Sequence, residues 1–271
     1  MTEVMRLLIM LLIALVMNSV GFRYFVHFLN VGYAFSIVGM CLAAVLMYWP
    51  RLDWLIVLHL TGLMIWGLRL GIFVLRRERQ PTYHKEIKAI QKQYGEIRLP
   101  VKLLIWPIVS ILYVVMFLPG FYHASYPARM AAPLSTVIEL AGLALLFGGL
   151  AIETLADRQK SIYKQEHPHH YCDTGLYRRV RYPNYLGEII IWIGSWVAGV
   201  PFYHTFWHWA GSLAGLVIII LIMVGTARRL EHNQDNRYGD SPEYQAYIEN
   251  VPVLLPGVPL YTLRNTRFYL G

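Results

Sequence analysis

Apolar residues gather in seven long runs along the chain, at about 5–21, 31–49, 54–75, 101–118, 134–155, 184–200 and 205–227, with polar stretches between them. A bilayer core takes about 20 mostly apolar residues in helical form. Each run therefore predicts one membrane-spanning helix. The sixth is short and opens on polar residues, which predicts a helix only partly immersed. The first, "MTEVMRLLIMLLIALVMNSVGFR", has the short apolar core of a signal peptide. It lacks a small-x-small cleavage site and carries Glu3 close to Arg6, so it reads as a retained first helix. No repeat, low-complexity tract or Ser-, Gly- or Pro-rich linker interrupts the pattern. The fold expected is an all-α polytopic membrane bundle of about seven helices, a single membrane domain over 1–271.

Composition agrees: 56% of the 271 residues are hydrophobic and only 15% are charged, which excludes an ordinary soluble domain. The charged residues are distributed unevenly. Residues 76–102 hold eight Lys and Arg, 158–181 hold six and the tail after 227 holds five, whereas 119–133 holds only Arg129 and 201–204 holds none. Basic loops stay in the cytoplasm, so seven crossings put the N-terminus outside and the C-terminus in the cytoplasm. The net charge of +8 then faces anionic lipid. No nucleic-acid-binding motif accompanies it, and no nucleic acid is expected as a partner. Cys41 lies in an apolar run and Cys172 in a polar loop, a pairing that does not suggest a structural disulfide.

Three polar segments converge on the basic face. Pro183 suits a first helical turn, and "NYLGEIIIWIG" then sets Asn184, Glu188 and Trp192 on one face at i, i+4 spacing. A carboxylate in a membrane span costs about 2.5–3.5 kcal/mol on insertion scales, so it faces a partner or a wet cavity. Glu188 reads either as a ligand contact or as half of an ion pair that merely holds helices together. Upstream, "ETLADRQKSIYK" carries the fifth span onward with Glu153, Asp157, Ser161 and Lys164 on one face. Downstream, "ARRLEHNQDNRYG" leaves the seventh span with Arg228 and His232 at i, i+4. Acceptors for hydroxyls, cations for phosphates and a helix N-terminus thus gather at one membrane face.

Neither a G-x-G-x-x-G after a strand nor a Walker loop is present, which excludes a Rossmann or P-loop nucleotide site. "GLALLFGG" at 142–149 has the wrong spacing and suits close helix packing instead. "HPHH" at 167–170 near Cys172, and His204 with His208, raise a metal alternative. The charge pattern puts these two clusters on opposite faces, and no metal is assigned. Arg69, inside the third span, needs a partner such as Glu188 or a ligand phosphate. Tyr83, in "RRERQPTYHK" just past that span, reads as a headgroup anchor or as a phenolic donor to a substrate carbonyl.

"GLYRRVRYPNYLGEIIIWIG", preceded by "ETLADRQ" and followed by "EYQAYIENVPVLLPG", resembles the steroid 5-alpha-reductase-like membrane proteins over about residues 150–256. Isoprenylcysteine methyltransferases and sterol reductases share a version of the R-x-P-x-Y-x-G core and of the tyrosine-rich tail. The resemblance implies a seven-helix enzyme that takes NADPH from the cytoplasmic side. Its reaction would be reduction of a carbon–carbon double bond conjugated to a ketone. It further implies that Asn184 and Glu188 hold the cofactor near its nicotinamide, with Tyr185 between them. Asp157 would bind the adenosine half, Lys164 stands where the family has a basic residue, and Arg228 with His232 resemble its C-terminal Arg and His. Beside them, Glu153, on the face of Asp157, is expected to contact the cofactor, and Arg181, with Lys164 and Arg228, to meet its phosphates. Tyr83 is similar to the tyrosine that donates to the substrate carbonyl. Its usual acidic partner has no counterpart, since Asp53 is the only acid between residues 4 and 77 and is expected on the outer side. "RYPN" in place of small residues before the Asn moves the chain toward the bacterial branch.

The expectation is therefore an NADPH-dependent enone reductase of a lipophilic, steroid-like or isoprenoid substrate. Residues 1–133 would form the substrate side, 134–256 the cofactor core and 257–271 a tail. The site would face the cytoplasm from a bacterial inner membrane, with membrane lipid as a partner. An S-adenosylmethionine-dependent membrane methyltransferase and a seven-helix transporter or lipid-binding protein are the alternatives. The acid at 188 favours the reductase, because the methyltransferases usually carry an apolar or aromatic residue there.

Overall fold

The computed structural model describes residues 1–78 and 97–266. Among them lie eight α-helices: α1 Glu3–Asn18, α2 Val31–Tyr48, α3 Trp54–Glu78, α4 Leu99–Ser125, α5 Ala132–Glu166, α6 Pro183–Gly199, α7 Phe206–Tyr238 and α8 Pro242–Asn250. The described residues contain no strand. Seven of the helices are long and apolar enough to cross a membrane, and the chain is built as an integral membrane protein. The expected spans and the observed helices agree in number and order. Tyr83 lies outside the described residues.

Side-chain caps start several helices by satisfying backbone N–H groups that have no partner within the helix. Thr2 Oγ1 accepts from Met5 N at 3.3 Å. Asp53 Oδ1 accepts from Leu55 N and Ile56 N, both at 2.9 Å. α5 has 35 residues and α7 has 33, about 50 Å each at 1.5 Å per residue. That exceeds the roughly 30 Å hydrocarbon thickness, so both helices carry polar turns beyond the membrane.

Within the one domain expected for 1–271, the described chain forms two compact units. Unit 1 is Met1–Glu139 with Ala198–Gly215, and unit 2 is Leu140–Val197 with Leu216–Gly271. In unit 1 the Tyr33 and Tyr113 rings stack at 5.0 Å while Trp66 meets Tyr33 edge-on at 4.9 Å. Pro119 cannot donate the helical hydrogen bond to the Val115 carbonyl. Gly215 packs directly on that oxygen, which a Cβ on Gly215 would approach to 2.6 Å.

Unit 2 is organised by a second glycine contact. A Cβ on Gly149 of α5 would lie 2.6 Å from Gly187 O of α6. On Gly187 it would lie 2.7 Å from Glu153 N, and on Gly194 it would lie 2.4 Å from Leu146 N. Three glycines thus let two helix backbones touch, which is how membrane helices gain packing when no water drives them together.

Candidate functional site

The glycine contact decides where two acids go. Glu153 abuts Gly187, and Glu188 is the next residue. Both side chains are buried, Glu153 at 3% exposure and Glu188 at 6%. Glu188 is not turned toward lipid. Burial along α6 follows the expected face: Asn184 and Tyr185 are half-buried at the start, Glu188 is buried and Trp192 is 2% exposed. Along α5 the acidic face runs outward from buried Glu153 through half-buried Asp157 to exposed Ser161.

The lead-in to α6 is fixed by the C-terminal strap. Arg181 N donates to Pro252 O at 2.9 Å and Tyr182 N to Val253 O at 3.2 Å. Gly257 turns the strap back at φ +78°, and Val253 N then donates to Leu260 O at 2.8 Å. Tyr182, Ala227, Val253, Leu254 and Leu263 pack as its apolar core. Beneath it lies a buried ion pair, with Arg181 Nη2 3.2 Å from Glu231 Oε1. The same nitrogen donates to Tyr261 O, and Glu231 Oε2 accepts from Leu263 N at 2.9 Å. Arg181 Nε and Nη1, also buried, have no hydrogen-bond partner among the described residues. A buried guanidinium with two donors left over suits an anion.

The remaining basic positions sit further out. Arg228, half-buried, donates from Nη2 to Arg264 O at 3.3 Å. Lys164 Nζ binds the carbonyls of His170 and Pro168 and the Tyr238 hydroxyl, which ties its ammonium to the loop after α5. His232 is exposed, with Asn236 Nδ2 3.2 Å from its Nε2. All nine cofactor positions expected from the sequence fall in unit 2. Glu153, Arg181 and Glu188 are buried, Asp157, Lys164, Asn184, Tyr185 and Arg228 are half-buried, and His232 is exposed.

Sequence reasoning missed Glu231 and Asp235. Asp235 accepts from the Tyr244 hydroxyl at 3.0 Å and pairs with Arg264 at 2.7 Å. The signal was present, because steps of four from buried Ala227 lead to Glu231 and then Asp235 on one face of α7. A tyrosine cluster was missed as well. Tyr171 meets Tyr244 and Tyr247, each at 5.0 Å, and the Tyr247 hydroxyl donates to Tyr177 O at 2.8 Å. Burial raises the phenol pKa of both Tyr177 and Tyr247 well above its ordinary range. They act in neutral form, as hydrogen-bond donors.

Cys41 and Cys172 are free and buried. No cluster of three or more His, Cys, Asp or Glu side chains placed to hold a metal occurs among the described residues. His204 and His208 contact each other, His204 N donating to His208 Nδ1 at 3.2 Å.

No curated protein and no solved structure matches the chain. The family model for DUF1295, described as a protein of unknown function, matches residues 14–251. That span takes in all nine unit 2 positions from Glu153 to His232, and on it the chain belongs to the DUF1295 family, a steroid 5-alpha-reductase-like membrane family.

Proposed function

We propose that this chain is a membrane NADPH-dependent reductase, of the bacterial branch of its family. Its substrate would be a lipophilic, steroid-like or isoprenoid enone, taken from the bilayer of a bacterial inner membrane, with the cofactor side facing the cytoplasm. The observation that carries the reading is the burial of Glu188 beside the Gly187–Glu153 contact. A carboxylate held inside the unit at a helix start can accept from a ligand's N–H groups, a role that an exposed headgroup acid would not fill. The donors left over on Arg181 support the same reading, because a dinucleotide brings phosphate oxygens.

NADPH, when bound, supplies the hydride. Glu188 would accept from the cofactor's carboxamide N–H and Asn184 would offer both a donor and an acceptor, so together they would orient the nicotinamide. Arg181 and Arg228, with Lys164, would offer cationic donors to the phosphates. Asp157, Glu153 and Tyr185 would provide acceptors and an aromatic wall for the rest of the nucleotide, with His232 as a further, exposed contact. Tyr83 is assigned by resemblance to donate to the substrate's ketone oxygen, where negative charge develops as the β carbon is reduced.

The test is thermal unfolding of the detergent-purified protein with NADPH, NADH or S-adenosylmethionine. A ligand at 100 times its Kd stabilises by about 2.7 kcal/mol. Stabilisation by NADPH that is weakened in Glu188→Gln is expected. An unchanged response in that variant removes the role given to Glu188, and stabilisation by S-adenosylmethionine alone makes the chain a methyltransferase.

A further inference from the structure

At the end of unit 1 formed by the turns around Asp53 and Tyr126, four buried polar side chains make one hydrogen-bonded row. His59 of α3 meets His123 of α4 through their Nδ1 atoms at 2.9 Å. His123 Nε2 lies 3.2 Å from Glu139 Oε2, and Ser135 donates to Glu139 Oε1 at 2.5 Å. All four are nearly sealed, the most exposed being Glu139 at 4%.

An N···N contact holds one hydrogen, so one of the two rings donates through Nδ1. His123 Nε2 and the Ser135 hydroxyl reach the two Glu139 oxygens, and no Lys or Arg among the described residues pairs with that carboxyl group. An ionised Glu139 thus has room in its balance for a cation from elsewhere.

Such a cation has a place to sit. Glu139 and Ser135 line a cavity of about 710 Å³ whose wall includes Leu55, Ile56 and Phe202, a volume suited to a small-molecule ligand. Asp53 adds a second carboxylate and Arg51 a guanidinium, both exposed at the cavity's rim. Tyr126, also on the wall, gives its hydroxyl hydrogen to Glu3, whose other oxygen lies 3.6 Å from His208 Nε2. Two carboxylates therefore face the cavity against one fixed cation.

The geometry points to a binding site for a small organic ammonium ion with an apolar body, its charge against Glu139 and Ser135 and its body against Leu55, Ile56 and Phe202. None of these residues belongs to the nucleotide-binding group of unit 2, and the site stands whether or not the protein binds NADPH.

The test uses the full chain in non-ionic detergent, titrated calorimetrically with benzylamine, benzyl alcohol and benzoate, three rings of similar size that differ in charge. Benzylamine is expected to bind at least about tenfold more tightly than the other two, as charge pairing in a partly desolvated cavity requires. Glu139→Gln should abolish the preference for the amine, and Arg51→Ala should strengthen it. Equal affinities for the three probes, no binding of any, or an unchanged preference in Glu139→Gln overturns the proposal. If Glu139→Gln does not fold, the wild-type panel decides alone.

Discussion

Cutting the Arg181–Glu231 ion pair at either end should unfasten the C-terminal strap from the start of α6. The two side chains are each 1% exposed and 3.2 Å apart. At an effective dielectric constant of about 20, unit charges about 4 Å apart attract by about 4 kcal/mol. Removing one partner of a buried pair costs about 3–5 kcal/mol, because the other charge is left buried and uncompensated. Glu231→Gln isolates that charge term, since its amide oxygen can still accept from Leu263 N. Arg181→Met should cost about 1 kcal/mol more, because it also removes the donor to Tyr261 O, a hydrogen bond of ordinary net worth. The double variant Arg181→Met, Glu231→Leu leaves no charge buried and should lie closer to the wild type than either single variant. Equilibrium unfolding in mixed micelles measures all four proteins. Single variants that each lose less than about 1 kcal/mol, or a double variant whose loss equals the sum of the two, would refute the claim that a desolvated pair holds the strap.

Gly187→Ala places a methyl group 2.7 Å from Glu153 N and 2.8 Å from Gly149 O, both backbone atoms that can yield only if the helices separate. A loss of about 1–3 kcal/mol in the same unfolding measurement is expected, along with weaker stabilisation by NADPH. Gly148→Ala, with open space around it, should be neutral or stabilising by about 0.5–1 kcal/mol. Burial holds Tyr171, Tyr177, Tyr182, Tyr244 and Tyr247 above the ordinary phenol value of 10.0. The unfolded chain releases these protons near pH 10 while the folded chain keeps them. Stability is therefore intact below about pH 10 and falls as pH rises through and beyond it. Thermal melts from pH 8 to 11 should show this fall, and Tyr247→Phe should make it shallower while costing about 0.5–1.5 kcal/mol at neutral pH.

The membrane helices were legible because their signal is one of bulk: about 20 apolar residues in a row have few other uses. Their ends were less so. The fourth span, expected at 101–118, continues to Ser125 through Pro119 and Gly120, a pair that reads as a breaker in isolation. Packing overrides that local preference, since Phe121 and Tyr122 are buried and Gly215 closes on the carbonyl that Pro119 leaves without a donor. At the seventh helix the i, i+4 spacing of charge singles out Arg228 and His232, yet His232 is exposed and the buried acid is its neighbour Glu231.

A site is readable from sequence when its residues share one helix, since i, i+4 spacing then states their common face. Asn184, Glu188 and Trp192 met that condition, as did Glu153 and Asp157, and their burial follows the expected faces. His59, His123 and Glu139 stand singly on three helices, 64 and 16 positions apart along the chain, and each looks like an isolated polar residue in an apolar run. Insertion cost applies to each of them nonetheless. A lone acid in a span costs about 2.5–3.5 kcal/mol unless something answers its charge, so Glu139 alone implied a partner on another helix. Spacing within a helix shows which polar residues act together; the cost of burying each one shows that the others cannot be acting alone.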